Sequence, residues 1–237
     1  MAVFFWAYNF ISRSFKYGPV RKIKAALRPL KYFFVGRSGI YEVLDIVKSN
    51  KGGSDNVRVV FDIGAAVGDM AVTFLKNFPR AIVYCFEPLP ESFATLRKSV
   101  AGFGERARCF NFALSDKDGD VEFYKQSNHD ASSFILRSGD SSVNTIRVKM
   151  RRLDDVVKEL SIQKIDFMKV DVQGWEKEVI EGGKATFGEK VENLFIEIVP
   201  VYYNGGREHF YIDVLEALYG AGFSWAGVFG DFFFTKK

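Results

Sequence analysis

The sequence predicts an α/β fold: an open, mostly parallel seven-stranded sheet with helices on both faces, closed by an antiparallel hairpin at the C-terminus. Three observations carry this. From about residue 57, β-branched apolar runs alternate with segments whose apolar residues recur at helical spacing. Several of the runs end in an acid followed by a glycine or proline turn. The closing stretch, FSWAGVFGDFFFTKK, reads as two short strands joined at Gly230-Asp231.

The elements follow in order. VRVVFDI (57–63) is the first strand, and in VGDMAVTFLKNF the residues Val67, Met70, Ala71, Phe74, Leu75 and Phe78 mark one face of a helix. AIVYCFE (81–87) is the second strand, and the helix after it has Pro90 in its first turn and Phe93, Leu96 and Val100 on one face. ARCFNFAL (107–114) reads as a third strand. Helices of this length between strands imply parallel pairing through right-handed crossovers. An insertion at about 115–150 then breaks the alternation: two strands, SDKDGDVEFYK and TIRVKMRRL, form a hairpin-like ladder around a polar loop. DKDGD looks like a calcium loop, but its downstream spacing fails and turn chemistry accounts for it. RRLDDVV reads as a basic step into a capped helix. KIDFMKVDVQGW carries the fourth strand, with a helix from Trp175 to Glu181 stopped by Gly182 and Gly183. VENLFIEIVP is the fifth strand, and EHFYIDVLEALYGAG a helix ended by glycine.

Composition bounds the function. The chain has 237 residues, is 48% hydrophobic and carries 25 Phe, enough for one domain with a sizeable core. Two cysteines, Cys85 and Cys109, argue against a disulfide framework and for a reducing, cytoplasmic compartment. Neither His129 nor His209 lies at zinc-ligand spacing to them. The net charge of +4 is uneven: residues 1–41 hold eight Lys and Arg and no acid, so 33 less eight leaves 25 basic against 29 acidic residues over 42–237. The chain therefore divides into a basic aromatic extension, 1–41, and a mildly acidic domain, 42–237. The opening MAVFFWAYNFI is too short to span a bilayer, and its charges follow the apolar stretch instead of preceding it as in a secretory signal. Two readings of residues 1–37 stand: an extension whose aromatics cap the core, which we favour, or an interfacial anchor on the anionic inner membrane face.

The acids at strand ends point to a nucleotide. Asp62, Glu87 and Asp171 end the first, second and fourth strands, where open α/β sheets bind their ligands. No phosphate-loop string occurs, and G-x-G-x-x-G is replaced by Gly64-Ala65-Ala66-Val67-Gly68, with Asp62 before it and Asp69 after. Two carboxylates repel a pyrophosphate but attract an ammonium and a sulfonium. S-adenosylmethionine is thus the expected ligand, on a Rossmann-like class I methyltransferase fold, with a nicotinamide dehydrogenase as the weaker alternative.

VVFDIGAAVGD, VYCFEP, NFALSDKDG and IDFMKVDVQGWEKEVIEGG together resemble the FkbM family of S-adenosylmethionine-dependent methyltransferases over roughly residues 57–200; the Asp171–Glu176 string, D-V-Q-G-x-E, is the most specific part. The resemblance implies that residues 62–69 form the cofactor loop, that Glu87 with Pro88 lies at the ribose, that Asn111 to Ala113 lie near the adenine, and that Ser133 belongs to a small-residue loop, Ser132 to Phe134, near the cofactor. It implies an O-methyltransferase on a saccharide, glycolipid or related natural product. Ala66 departs from the polar residue expected there.

A sugar hydroxyl is a poor nucleophile, so a base or a metal should assist. Asp171 is the first candidate base. Glu176 either pairs with it, as orienter or as co-ligand of a divalent cation, or stabilises a helix N-terminus. His129, in the polar insertion, is the rival base, whereas His209 reads as structural. Glu197, alone in LFIEIVP, needs a partner and either orients substrate or closes a core network. The body shows no interleaved basic–aromatic surface, which argues against nucleic acid as substrate. RNA or protein methylation and a non-catalytic cofactor-binding module at a membrane are the remaining alternatives.

Overall fold

A computed structural model describes residues 39–125, 144–198, 210–229 and 231–236; all belong to the unit spanning residues 34–237. The first described element is the helix α1 (Gly39–Asn50), which buries Val43, Leu44 and Val47 at the helical period. It begins before residue 42, so the domain's first helix starts inside the segment that charge alone assigns to the extension.

Strands β1 (Val59–Ile63) and β2 (Ile82–Phe86) flank the helix α2 (Asp69–Asn77), and α3 (Pro90–Val100) leads on to β3 (Ala107–Phe110). The later strands of the same sheet are β7 (Phe167–Val170), β8 (Asn193–Ile196), β9 (Phe223–Phe229) and β10 (Asp231–Lys236). The seven lie in the order β3-β2-β1-β7-β8-β10-β9. The five from β3 to β8 are parallel, while β10 runs antiparallel to both β8 and β9. This is the open sheet with a terminal hairpin that the alternation predicts. Chain order reverses between β1 and β7, which places the ligand crevice at their carboxyl ends.

Period-two alternation distributes the core between the faces. Phe61, Ile63, Tyr84, Phe86, Met168 and Val170 point to one side, under α4 (Leu153–Glu159), α5 (Glu176–Gly182), α6 (Lys184–Glu189) and α7 (Phe210–Gly220). Val60, Val83, Cys85 and Phe167 point to the other, under α1, α2 and α3.

Two local readings are corrected. ARCFNFAL is not one strand: β3 stops at Phe110, and Ala113–Ser115 forms β4 in a second sheet of order β4-β6-β5, with β5 Gly119–Lys125 and β6 Asn144–Arg152. Asn111 makes the break, because its side-chain amide donates to the carbonyls of Glu87 (2.9 Å) and Pro88 (3.0 Å) and so turns the chain out of the sheet. The antiparallel ladder of β5 and β6, from Gly119↔Met150 to Lys125↔Asn144, is the one read in the insertion. The second correction concerns α4, which has no side-chain cap. Asp154 caps another helix, accepting at 2.8 Å from the Thr186 N–H and at 2.7 Å from the Thr186 hydroxyl in α6.

Candidate active site

β1 is followed by a glycine because the chain must turn against its neighbour. Gly64 has φ +79°, and a Cβ there would stand 1.8 Å from the Asp171 carbonyl oxygen. The N–H groups of Gly64 and Ala65 both donate to the Phe86 carbonyl at 3.0 Å. Ala66 takes a left-handed conformation, φ 47°, and its N–H donates to Glu87 Oε2 at 3.0 Å. Gly68, also left-handed, starts α2, which places Asp69 in the helix's first turn.

Glu87 therefore does two things at the end of β2. Its Oε1 accepts from the Leu89 N–H at 2.9 Å while Oε2 holds the loop at Ala66, and the side chain still forms part of a cavity wall. Burial pushes its carboxyl up to about 7, against the two backbone N–H groups that favour the charge.

At the end of β7 a buried lysine gathers three oxygens. Lys169 is 6% exposed, and its Nζ lies 3.0 Å from the Gly64 carbonyl, 3.2 Å from Asp171 Oδ2 and 3.5 Å from Asp62 Oδ1. Asp62 and Lys169 are register partners across β1 and β7, on the face under α2. Burial works against the ammonium, but Asp62 and Asp171 outweigh it and hold the pKa above the ordinary lysine value. Asp62 is fully buried and neither oxygen has a hydrogen-bond partner; 3.5 Å is an ion-pair distance. Burial raises the Asp62 carboxyl and Lys169 draws it back down. Of these opposed pulls the ammonium's charge is the firm feature, because one carbonyl and two carboxylates surround it.

Asp171 is the exposed end of this hub. Burial acts to raise its pKa, but the Lys169 ammonium and hydrogen bonds with Glu197 and Gln173 bring it below the usual carboxylate range. The Gln173 side-chain amide reaches both acids, donating to Asp171 Oδ1 at 2.8 Å and Glu197 Oε2 at 3.0 Å, from a residue held at φ 51°.

A cavity of about 380 Å³ opens between these strand ends. Gly64, Ala66, Asp69, Glu87, Asp171 and Gln173 line it, together with Glu91, Ser92 and Thr95 from α3 and the apolar Phe86, Leu89 and Leu114. Four carboxylates line it and, among the described lining residues, no Lys, Arg or His. Such walls repel a pyrophosphate and suit a ligand carrying ammonium and sulfonium charge. The residues present fit S-adenosylmethionine: Asp69, Glu87 and the loop at Gly64 are the groups that would hold it.

Residues 62–224 match the methyltransferase FkbM domain, well over half of the chain. The chain belongs to the FkbM methyltransferase family. It is 36% identical over 143 residues to the 2-O-methyltransferase NoeI of Sinorhizobium fredii, covering 54% of this chain and 58% of that protein. It is 26% identical over 141 residues to the hexuronic acid methyltransferase AglP of Haloferax volcanii, covering 58% and 55%. With the 31-O-demethyl-FK506 methyltransferase FkbM of Streptomyces tacrolimicus it shares 25% over 172 residues, covering 60% and 66%. In each case the chain spans less than two thirds of the relative's length. Among solved structures, a putative rRNA methylase of Clostridium thermocellum aligns with TM-score 0.49 at 11% identity, over 84% of this chain and 95% of that one.

Within this FkbM fold the sequence-predicted residues fall into three groups. Gly64, Asp69, Glu87, Pro88, Ala113 and Asp171 line the cavity. Asp62, Ala65, Gly68 and Asn111 do not line it: Asp62 pairs with Lys169, Ala65 and Gly68 carry the loop's backbone hydrogen bonds, and Asn111 holds the exit of β2. Glu176 does not line it either: its Oε1 accepts from the N–H groups of Gly174 (3.0 Å) and Val172 (3.4 Å), and burial pushes its carboxyl up to about 7. That anchoring, at a helix start, is not the cation-binding pair with Asp171 that the sequence allows, and among the described residues no group of three His, Cys, Asp or Glu could hold a metal ion. His129, Ser133 and His209 lie outside the described residues. Lys169 and Gln173 were not singled out from the sequence. The available signals were a lysine inside the buried run FMKV and a glutamine just before the turn glycine Gly174.

Proposed function

We propose that the chain is an S-adenosylmethionine-dependent O-methyltransferase acting on a hydroxyl of a saccharide, glycolipid or related natural product. The observation that carries this is the acid-lined cavity at the switch point, with Asp171 at its wall. Two relatives support the substrate class, since their names specify 2-O-methylation and a hexuronic acid. When bound, S-adenosylmethionine supplies an electrophilic methyl group on a sulfonium centre.

The chain's own residues do the rest. Gly64, Ala66, Val67 and Glu87 line the same cavity as Asp171 and Gln173, so cofactor and acceptor are brought together there. Such positioning is worth about 7–11 kcal/mol in favourable cases. Asp171, ionised over the working pH range, accepts the hydrogen bond of the acceptor hydroxyl and takes up its proton as the oxygen is methylated. Its low pKa makes it a weak base that returns the proton readily to solvent. Orientation of the hydroxyl is therefore its larger contribution.

The test is transfer of a heavy methyl group to separated lipid, glycan, RNA and protein fractions of the host, with Asp171→Asn as control. Label in glycan or glycolipid, reduced at least 100-fold in the variant while cofactor binding persists, is the expected result. Label in RNA or protein alone would overturn the substrate class. Undiminished transfer by Asp171→Asn would remove the role given to the acid.

A further inference from the structure

Behind the cavity wall that the mechanism uses lies a buried charge with no part in it. A lysine ammonium inside a sheet is costly unless its donors are matched, and apolar residues of the same volume would stabilise the fold at least as well. Here the match is specific. The oxygens around Lys169 come from three different places: the Asp62 side chain within β1, as an ion pair, the Gly64 backbone carbonyl just beyond it, and the Asp171 side chain beyond β7. Two of the three, Gly64 and Asp171, line the cavity, on opposite sides of the point where chain order reverses. The same two residues are already in close approach through their backbones, since no side chain fits between Gly64 and the Asp171 carbonyl. On its other side the loop is held by the Phe86 carbonyl and the Glu87 carboxylate. Without Lys169, the Gly64 carbonyl and the Asp171 carboxylate would lose their shared donor.

We infer that Lys169 is the positioning residue of this site: its ammonium fixes the Gly64 carbonyl to the Asp171 carboxylate and so sets the spacing between the cofactor loop and the acceptor-side acid. The inference rests on the proposed function only in taking S-adenosylmethionine as the ligand of this cavity. Lys169 does not itself line the cavity, so its effect on ligand passes through the loop and through Asp171. A purely structural alternative is that Lys169 does no more than neutralise Asp62.

The two roles separate in a pair of variants of the full chain. Lys169→Met alone leaves Asp62 buried without its cation, and a loss of folding there would fit either role. Asp62→Asn combined with Lys169→Met removes both buried charges together, while Asp171 keeps partial access to solvent. Binding of S-adenosylmethionine, and of its demethylated product, is measured by calorimetry beside the thermal melting of each protein, with no acceptor present. The expected result is a double variant that melts within a few degrees of the parent yet binds both ligands at least ten-fold more weakly. A double variant that regains stability and parental affinity together would overturn the inference. One that fails to fold would overturn it as well, because Lys169 would then serve the fold as a whole. A parental chain that binds neither ligand would instead bring down the proposed function.

Discussion

Glu176 carries a pH signature that belongs to one residue. It is fully buried, its Oε2 has no hydrogen-bond partner, and its carboxyl is pushed up from 4.5 to about 7 by burial, against the backbone N–H groups of Gly174 and Val172. A carboxyl raised in the folded state favours folding below its unfolded value, and that contribution is lost as pH rises through about 7. Glu176→Gln keeps an oxygen for the two N–H groups and removes the charge. The variant should therefore match the parent at pH near 4.5 and exceed it at pH 8, by roughly 1–3 kcal/mol in chemical denaturation. A constant difference across that range would refute the assignment. Gly64 makes a second prediction at this scale. Gly64→Ala meets both a left-handed φ and the Asp171 carbonyl, and should cost more than about 3 kcal/mol or prevent folding.

At the scale of elements, what the sequence revealed and what it hid divide along locality. Strands β1, β2, β7 and β8 were legible because apolar runs bounded by turn residues specify themselves. The acids and glycines at their ends were legible for the same reason. Lys169 was hidden because its meaning depends on register: Asp62 and Lys169 are more than one hundred residues apart and meet only because β7 pairs with β1. The break of the third strand was hidden likewise, since Asn111 binds the carbonyls of residues in β2's exit. The short helix α6 has six residues, too few to be stable on propensity alone. Its cap comes from Asp154, a residue in the first turn of a different helix, α4. Asp154→Ala should accordingly lower stability by about 1–2 kcal/mol through α6. Amide exchange should quicken at Ala185 and Thr186; faster exchange confined to α4 would show that the cap had been placed on the wrong helix.

At the scale of the molecule, charge is the property that no single element holds. Eight basic residues and no acid lie in residues 1–41, ahead of a domain whose cavity is lined by four carboxylates. Residues 1–37 lie outside the described structure, and among the described residues no helix is long and apolar enough to cross a membrane. The two readings of that segment part on one measurement. An interfacial anchor predicts salt-sensitive binding of the full chain to anionic vesicles, lost when the chain begins at residue 38; a core-capping extension predicts no difference in vesicle binding but a lower melting temperature for the shortened chain. The cavity's charge makes the sharper forecast, because it chooses between nucleotides that the fold alone does not. A ligand that binds only the folded chain stabilises it by about 2.7 kcal/mol at one hundred times its dissociation constant. For a chain of this size that corresponds to a melting temperature roughly 5–10 °C higher. S-adenosylmethionine and its demethylated product should produce that shift, while NAD at the same concentration should produce none, since its pyrophosphate would meet a cavity lined by Asp69, at the start of α2, and Asp171. Stabilisation by NAD and not by S-adenosylmethionine would mean that the four carboxylates had been assigned the wrong ligand.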